Sequence, residues 1–141
     1  MSAHSAPAAA LCSPWAAAVR TAAAVVIAMM AVVAMMIATQ VVVTRFLPQS
    51  SVIYLSATLV LALLYHFIGG QIGASIGRDS RPAAGLLVLT GALLMIGSVR
   101  HTWPTVAPWY SIAMLIAAPA GLALGYRAHA RRRRWGPRQS A

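Results

Sequence analysis

The chain has a single acidic residue, Asp79, and no lysine, so arginine supplies all eleven of its basic side chains. Only 9% of its 141 residues are charged, whereas about a quarter of a typical soluble domain is charged. So few charged side chains cannot cover the surface of a water-soluble fold, and 60% of the residues are hydrophobic. The composition therefore excludes an ordinary soluble domain and indicates an integral membrane protein.

The shortage of acids also excludes most hydrolytic chemistry. One carboxylate cannot supply the pair of acid and base that most hydrolases use. The sequence has no Ser-His-Asp set, no metal-ligand spacing and no phosphate-binding loop. With one cysteine, Cys12, no disulfide can form within the chain. We therefore expect a protein that is not an enzyme, with no catalytic residues, no metal site and no assigned cofactor.

Long apolar stretches without charge, separated by short breaks that carry arginine, predict membrane-spanning helices. A helix of about 20 apolar residues crosses the hydrocarbon core of a bilayer. The predicted spans are residues 16–43, 52–76, 83–99 and 106–126. The fold class is therefore all-α, with four transmembrane helices in one bundle. Residues 1–15 are predicted to be a disordered N-terminal tail, and residues 127–141 a basic cytoplasmic tail.

Residues at the breaks fit the ends of these helices. Pro48 is expected to end the first helix, and Ser50 or Ser51 to cap the second. Pro82 suits the first turn of the third helix, where its missing N–H would have no helical partner.

Arginine placement predicts the orientation, because positive charge collects in the cytoplasmic loops of membrane proteins. Nine arginines fall on one side of the predicted spans and two, Arg45 and Arg100, on the other. Both termini are therefore expected in the cytoplasm, with the breaks at 44–51 and 100–108 facing outward. The nine are Arg20, Arg78, Arg81, Arg127, Arg131, Arg132, Arg133, Arg134 and Arg138.

Small residues on the second and fourth spans recur at a spacing that places them on helix faces. A face without side chains lets the backbone of a neighbouring helix approach closely. The two spans are therefore expected to touch near their cytoplasmic ends, within one chain or between two chains. The predicted packing residues are Gly69, Gly70, Gly73, Gly77, Ala117, Gly121 and Gly125.

His66 is the one ionisable residue predicted near the middle of the membrane, and such a residue is a site hypothesis by default. It could ligate haem or a metal, relay protons or hydrogen-bond a quinone. The sequence places no second intramembrane His, Asp, Glu or Cys at its depth. A structural interpretation is a neutral histidine that is hydrogen-bonded to a backbone carbonyl.

The methionine pairs of the first span, Met29 with Met30 and Met35 with Met36, have two interpretations. Thioethers are soft ligands that suit copper(I). They also fill irregular packing or face lipid, and no Cys or His accompanies these four on the helix. The packing interpretation is therefore favoured.

The basic run Arg131–Arg134 is expected to bind anionic lipid headgroups, at about 1 kcal/mol per arginine near the surface. The net charge of +10 raises the possibility of nucleic-acid binding. Five of the eleven arginines lie in the last eleven residues, and the others flank apolar spans. A membrane partner explains this placement, and no nucleic-acid partner is expected.

Between about residues 68 and 127 the features follow a distinctive order. A GG-x-x-GA-x-x-GR helix end is followed by a short RP turn and a glycine-broken third helix, and an aromatic P-x-x-x-PW-Y segment comes before the last helix. This order resembles small uncharacterised four-helix bacterial inner-membrane proteins. The resemblance implies the fold, brings no activity and lends no site residues.

Three functional hypotheses follow. The leading one is an accessory or scaffold subunit without a catalytic site, which assembles with itself or with a larger membrane complex through its glycine-rich faces. One alternative is an oligomeric small-solute carrier or channel with His66 lining the path. The other is a haem- or quinone-binding redox subunit that uses His66. In each, the chain is a multi-pass protein of the bacterial inner (plasma) membrane. Its richness in Ala, Arg, Val and Gly without lysine is typical of a high-GC bacterial gene.

Overall fold

The computed structural model describes residues 14–48, 51–78, 80–102 and 106–135 of the chain. Over these ranges the secondary structure consists of four α-helices, and each is long and apolar enough to cross a membrane. This confirms the all-α class and the four candidate spans. The helices are α1 (Pro14–Phe46), α2 (Val52–Gly77), α3 (Arg81–Thr102) and α4 (Pro108–Trp135).

The helices extend beyond the predicted spans. α1 continues through Arg45 to Phe46, and α4 continues through the basic run to Trp135. A charged residue ends an apolar stretch without ending a helix, because arginine has a high helix propensity. Residues 127–135, predicted as part of a tail, are therefore helical. Residues 1–13 of the predicted disordered tail lie outside the described residues, and its last two residues begin α1.

Both ends of α2 have identifiable caps. Ser51 is the N-cap, and its hydroxyl accepts a hydrogen bond from the backbone N–H of Tyr54 at 3.1 Å. Arg78 follows the last helical residue in the left-handed conformation, with φ 52° and ψ 43°, and its N–H donates to the carbonyl of Ala74. Glycine is the usual residue at this position because it has no Cβ to clash.

The second helix is central to the packing. The helices contact one another in a closed ring, α1–α2–α4–α3 and back to α1, and α2 also contacts α3 across the middle. The closest approaches lie in the half of the protein that contains the C-terminal part of α2 and the C-terminal part of α4, which we call the glycine end. Leu87 and Leu122 fill the space between these helices and are almost completely buried.

The glycines of α2 contact three different helices. Gly69 lies against Val32 of α1, and Gly70 against the backbone of Leu122 and Tyr126 in α4. A Cβ at Gly73 would lie 2.7 Å from Leu87 of α3, and one at Gly77 would lie 2.9 Å from Ala83. The spacing of these residues predicted one shared face, whereas the structure divides them among α1, α3 and α4.

The two glycines of α4 bring its backbone against α2. A Cβ at Gly121 would lie 3.0 Å from the carbonyl oxygen of Leu63, and one at Gly125 would overlap the backbone of Phe67. Ala117, the third small residue predicted to pack on this helix, is partly buried. The contact between α2 and α4 that their spacing suggested is therefore formed within one chain.

Candidate ligand-binding cavity

A cavity of about 600 Å³ lies between the helices, and all four helices contribute to its lining. It occupies the half of the protein where α1 and α3 end and where α2 and α4 begin, which we call the cavity end. Its size falls within the range of small-molecule sites, about 300–1,000 Å³. At the glycine end, glycines let the helices pack closely together. At the cavity end the residues are bulkier and the helices are held apart, so they enclose open space.

The lining of the cavity includes three tyrosines and three methionines. Tyr54 and Tyr65 come from α2 and Tyr110 from α4. Each methionine comes from a different helix, since Met36 lies on α1, Met95 on α3 and Met114 on α4. Among the described residues that line the cavity, none carries a formal charge. The arrangement therefore suits an uncharged molecule that has apolar surface and a few polar atoms.

Two hydrogen bonds join helices across the cavity end. The hydroxyl of Tyr54 donates to the side-chain oxygen of Gln40 on α1 at 2.5 Å. The hydroxyl oxygens of Thr58 and Tyr110 are 3.2 Å apart, which joins α2 to α4. Thr58 also lies 2.9 Å from the carbonyl of Tyr54. A carbonyl can only accept, so Thr58 donates to its own helix and Tyr110 donates to Thr58.

Two further hydroxyl groups of the lining belong to side chains that are almost completely buried. The Tyr65 side chain is 6% exposed and the Ser111 side chain 2% exposed, and both line the cavity. Within the described ranges neither hydroxyl makes a hydrogen bond to the protein. Neither oxygen is one of the fully buried polar atoms without a partner, so both hydroxyl groups are open to the cavity and available to a molecule in it.

His66 lies in the contact between α2 and α4 and is not one of the cavity-lining residues. Its Nδ1 is 2.7 Å from the carbonyl oxygen of Ala62, and a Cβ at Gly121 would lie 2.9 Å from its Cβ. The imidazole also lies beside the ring of Tyr65, with centroids 4.8 Å apart. A bond to a backbone carbonyl is what the structural interpretation of His66 requires.

The methionine pairs of α1 separate into different environments. Met30 is 69% exposed on the outside of the helix, while Met29 and Met35 pack against the buried core. Met36 lines the cavity. Adjacent residues on a helix point about 100° apart, so neither pair presents two sulfur atoms to one point. Among the described residues no group of three or more His, Cys, Asp or Glu could hold a metal ion.

The predicted lipid-binding arginines lie on the last turns of α4. Arg131, Arg132 and Arg133 are exposed there, and Arg134 continues the helix. Asp79 lies outside the described residues. The basic run therefore extends from the glycine end of the protein on a continuous helix rather than on a tail.

The chain matches no protein-family model, and no significantly similar curated protein or solved structure was found.

Sequence reasoning missed the cavity because its residues come from four separate helices. One signal was available. Uncharged polar residues are concentrated in the halves of the spans nearest the two outward breaks, whereas the glycines of α2 and α4 lie in the opposite halves. These residues include Thr39, Thr58, Ser98 and Ser111.

Proposed function

We propose that the chain is a non-enzymatic, multi-pass protein of the bacterial inner membrane that binds a small uncharged molecule. The observation that carries this proposal is the cavity of about 600 Å³, lined by uncharged polar and apolar side chains from all four helices. The proposed role is a binding protein or carrier for that molecule. It keeps the small-solute alternative from the sequence but assigns the binding site to the cavity instead of His66.

In this proposal the four helices form one bundle with both termini in the cytoplasm. The distribution of arginines, nine against two, supports that orientation. The cavity end then faces the outer side of the membrane, and the glycine end faces the cytoplasm. The exposed residues Arg131, Arg132 and Arg133 would hold the cytoplasmic end against anionic lipid headgroups.

The asymmetry of the packing supports uptake from one side. Gly70 and Gly125 bring the backbones of α2 and α4 together at the glycine end, and Leu87 and Leu122 fill the space beside them. A molecule would therefore enter at the cavity end and stop near the middle of the membrane. A carrier would have to separate the helices at the glycine end, whereas a binding protein would keep them together.

Native mass spectrometry of protein extracted with its surrounding lipid tests this proposal. We expect the wild-type protein to carry a bound small molecule and Met114→Trp to lose it, because the larger indole would occupy space that the molecule needs. Ile116→Trp is the matched control, since Ile116 is on the same helix and 64% exposed on its outer surface. Retention of the occupant by both variants, or its loss from both, would contradict a site in the cavity.

The accessory-subunit role is a second proposal. It requires a partner-binding surface other than the glycine-rich faces that the sequence suggested. The glycines of α2 and α4 contact helices of the same chain. On α3, by contrast, a Cβ at Gly85 would meet nothing within 4 Å, and Leu89 and Ile96 are more than half exposed on the same face. Such a face lets a partner helix approach. Intact-complex mass spectrometry of Gly85→Leu should then show loss of a partner that the wild-type protein retains.

A redox role through His66 is the third proposal from the sequence. A histidine that ligates haem commonly donates its other ring N–H to a carbonyl, so the bond between Nδ1 and Ala62 is compatible with that role as well. The visible absorption spectrum of the gently purified protein tests it. A Soret band that disappears in His66→Ala would support it, and a colourless wild-type protein would remove the haem version.

A further inference from the structure

We infer that the cavity binds an elongated, uncharged amphiphile that carries carbonyl oxygens, the chemical class of the lipid-soluble quinones, and that Tyr65 and Ser111 donate the hydrogen bonds that hold it. This inference rests on the proposed function and names its class of ligand. It concerns binding alone and assigns no electron transfer to the chain.

The polar groups of the cavity divide into used and unused donors. Tyr54 donates to Gln40 and Tyr110 donates to Thr58, so the protons of both hydroxyl groups are occupied. The hydroxyl groups of Tyr65 and Ser111 make no hydrogen bond to any described residue, although each side chain is more than nine-tenths buried. The Thr39 hydroxyl and the side-chain amide of Gln40 also line the cavity, but these two side chains are more exposed. The two free donors on buried side chains are satisfied by two acceptors. Carbonyl oxygens are acceptors only, and they carry no charge that the cavity would have to neutralise.

The positions of the two donors give the site its length. Tyr65 lies thirteen residues after Val52, the first residue of α2, which is about 20 Å along the helix. Ser111 lies three residues after Pro108, the first residue of α4, which is about 4.5 Å along the helix. Because both helices start at the cavity end, the backbone of Tyr65 lies about 15 Å deeper than that of Ser111. A tyrosine side chain on a helix points back toward the helix N-terminus, so the Tyr65 hydroxyl lies less deep than its backbone. A ligand that reaches both hydroxyl groups extends along the helix axes.

The apolar part of the lining suits a ring or a hydrocarbon chain. Met36, Met95 and Met114 approach from three helices, and methionine makes favourable contacts with aromatic and planar groups. A volume of about 600 Å³ accommodates a substituted ring and part of a chain. A charged ligand would be disfavoured, because the described lining offers no counter-charge to offset its desolvation.

Tryptophan fluorescence gives a direct binding assay. Trp109 lies edge-on to the ring of Tyr110, with centroids 6.0 Å apart, and Tyr110 lines the cavity. In protein with Trp15, Trp103 and Trp135 replaced by phenylalanine, quenching reports on ligand near the mouth. The probe is decylubiquinone, added to the protein in lipid nanodiscs. Partition of the probe into lipid gives a non-saturable background, so the saturable part is the binding signal.

We expect saturable quenching by the oxidised probe. Tyr65→Phe and Ser111→Ala should each weaken the binding about three- to tenfold, which is the effect of losing one neutral hydrogen bond. Tyr126→Phe is the matched control, because the Tyr126 hydroxyl donates to the carbonyl of Ser80 at the glycine end. It should bind the probe as the wild-type protein does.

Two results would overturn the inference while leaving the proposed function intact. In the first, the probe shows no saturable quenching, although mass spectrometry finds an occupant that Met114→Trp loses. In the second, the probe binds but Tyr65→Phe and Ser111→Ala bind it as the wild-type protein does. If, instead, Met114→Trp and Ile116→Trp retain the same occupant, the proposed function fails, and this inference fails with it.

Discussion

The backbone of Gly125 in α4 lies directly against the backbone of Phe67 in α2. A Cβ at position 125 would overlap the carbonyl oxygen of Phe67 and lie 2.8 Å from its carbonyl carbon. Backbone atoms cannot move aside as a flexible side chain can, so any side chain at this position separates the two helices. The same holds at Gly70, where a Cβ would lie 2.9 Å from the backbone nitrogen of Tyr126.

We therefore predict that Gly125→Ala and Gly70→Ala each lower the free energy of unfolding by about 1–3 kcal/mol, the usual effect of overpacking. The measurement is an unfolding titration with sodium dodecyl sulfate in mixed micelles. Gly85→Ala is the matched control, because a Cβ there meets nothing within 4 Å. It should raise stability by about 0.5–1 kcal/mol, since alanine favours a helix over glycine. Equal effects at the three positions would argue against the contact between α2 and α4.

The glycines of α2 show how far the sequence predicts this fold. Charge-free stretches predicted four helices, because few other structures satisfy the backbone inside a membrane. Helical spacing showed that Gly69, Gly70, Gly73 and Gly77 share one side of α2. It could not show which helix each one contacts, since that depends on how α1, α3 and α4 are arranged around α2.

The candidate site was less predictable than the helices. The sequence indicated His66 as the candidate site because it is ionisable. The cavity is lined instead by its neighbour Tyr65, whose position on the helix is rotated by about 100°. Whether space is open between helices depends on their lateral separation, which no local pattern encodes. The ends of the helices were also missed, because Arg45 and Arg131 end an apolar stretch but continue a helix.

His66 is predicted to matter for stability and not for binding in the cavity. His66→Ala removes the bond to the Ala62 carbonyl and the buried imidazole beside the Tyr65 ring, so it should lower the free energy of unfolding by about 2–3 kcal/mol. Binding of decylubiquinone to the fraction that remains folded should change less than about twofold. Normal stability combined with loss of binding would instead make His66 a ligand-binding residue.

The hydrogen bond between Tyr54 and Gln40 is predicted to couple α1 to α2. A double-mutant cycle with Tyr54→Phe and Gln40→Leu should give a coupling energy of about 0.6 kcal/mol, and at most about 1.7, the range found for hydrogen bonds inside membrane proteins. The unfolding titration supplies the four free energies. A coupling energy within error of zero would mean that the two side chains do not interact in the membrane.

The turn after α2 offers a way to stabilise the protein. Arg78 has a left-handed conformation, with φ 52°, and a side chain there is unfavourable by about 1–2 kcal/mol. Arg78→Gly should therefore raise the free energy of unfolding by about 1 kcal/mol. Arg78→Ala removes the same charge but keeps a Cβ, so it should bring no such gain. If both variants are stabilised equally, the effect comes from the charge and not from the backbone.

Chemical labelling at position 98 tests most directly whether the cavity is open to the outer side of the membrane and receives a ligand. Ser98→Cys in a Cys12→Ser background has a single thiol, at an exposed position of the cavity lining one turn before the end of α3. We predict that a small membrane-impermeant thiol reagent labels it in intact cells, at least about tenfold faster than a cysteine at the lipid-facing position Ile116, and that decylubiquinone slows the reaction. Labelling from the cytoplasmic side alone, or at the same rate with and without the quinone, would contradict an outward-facing binding cavity.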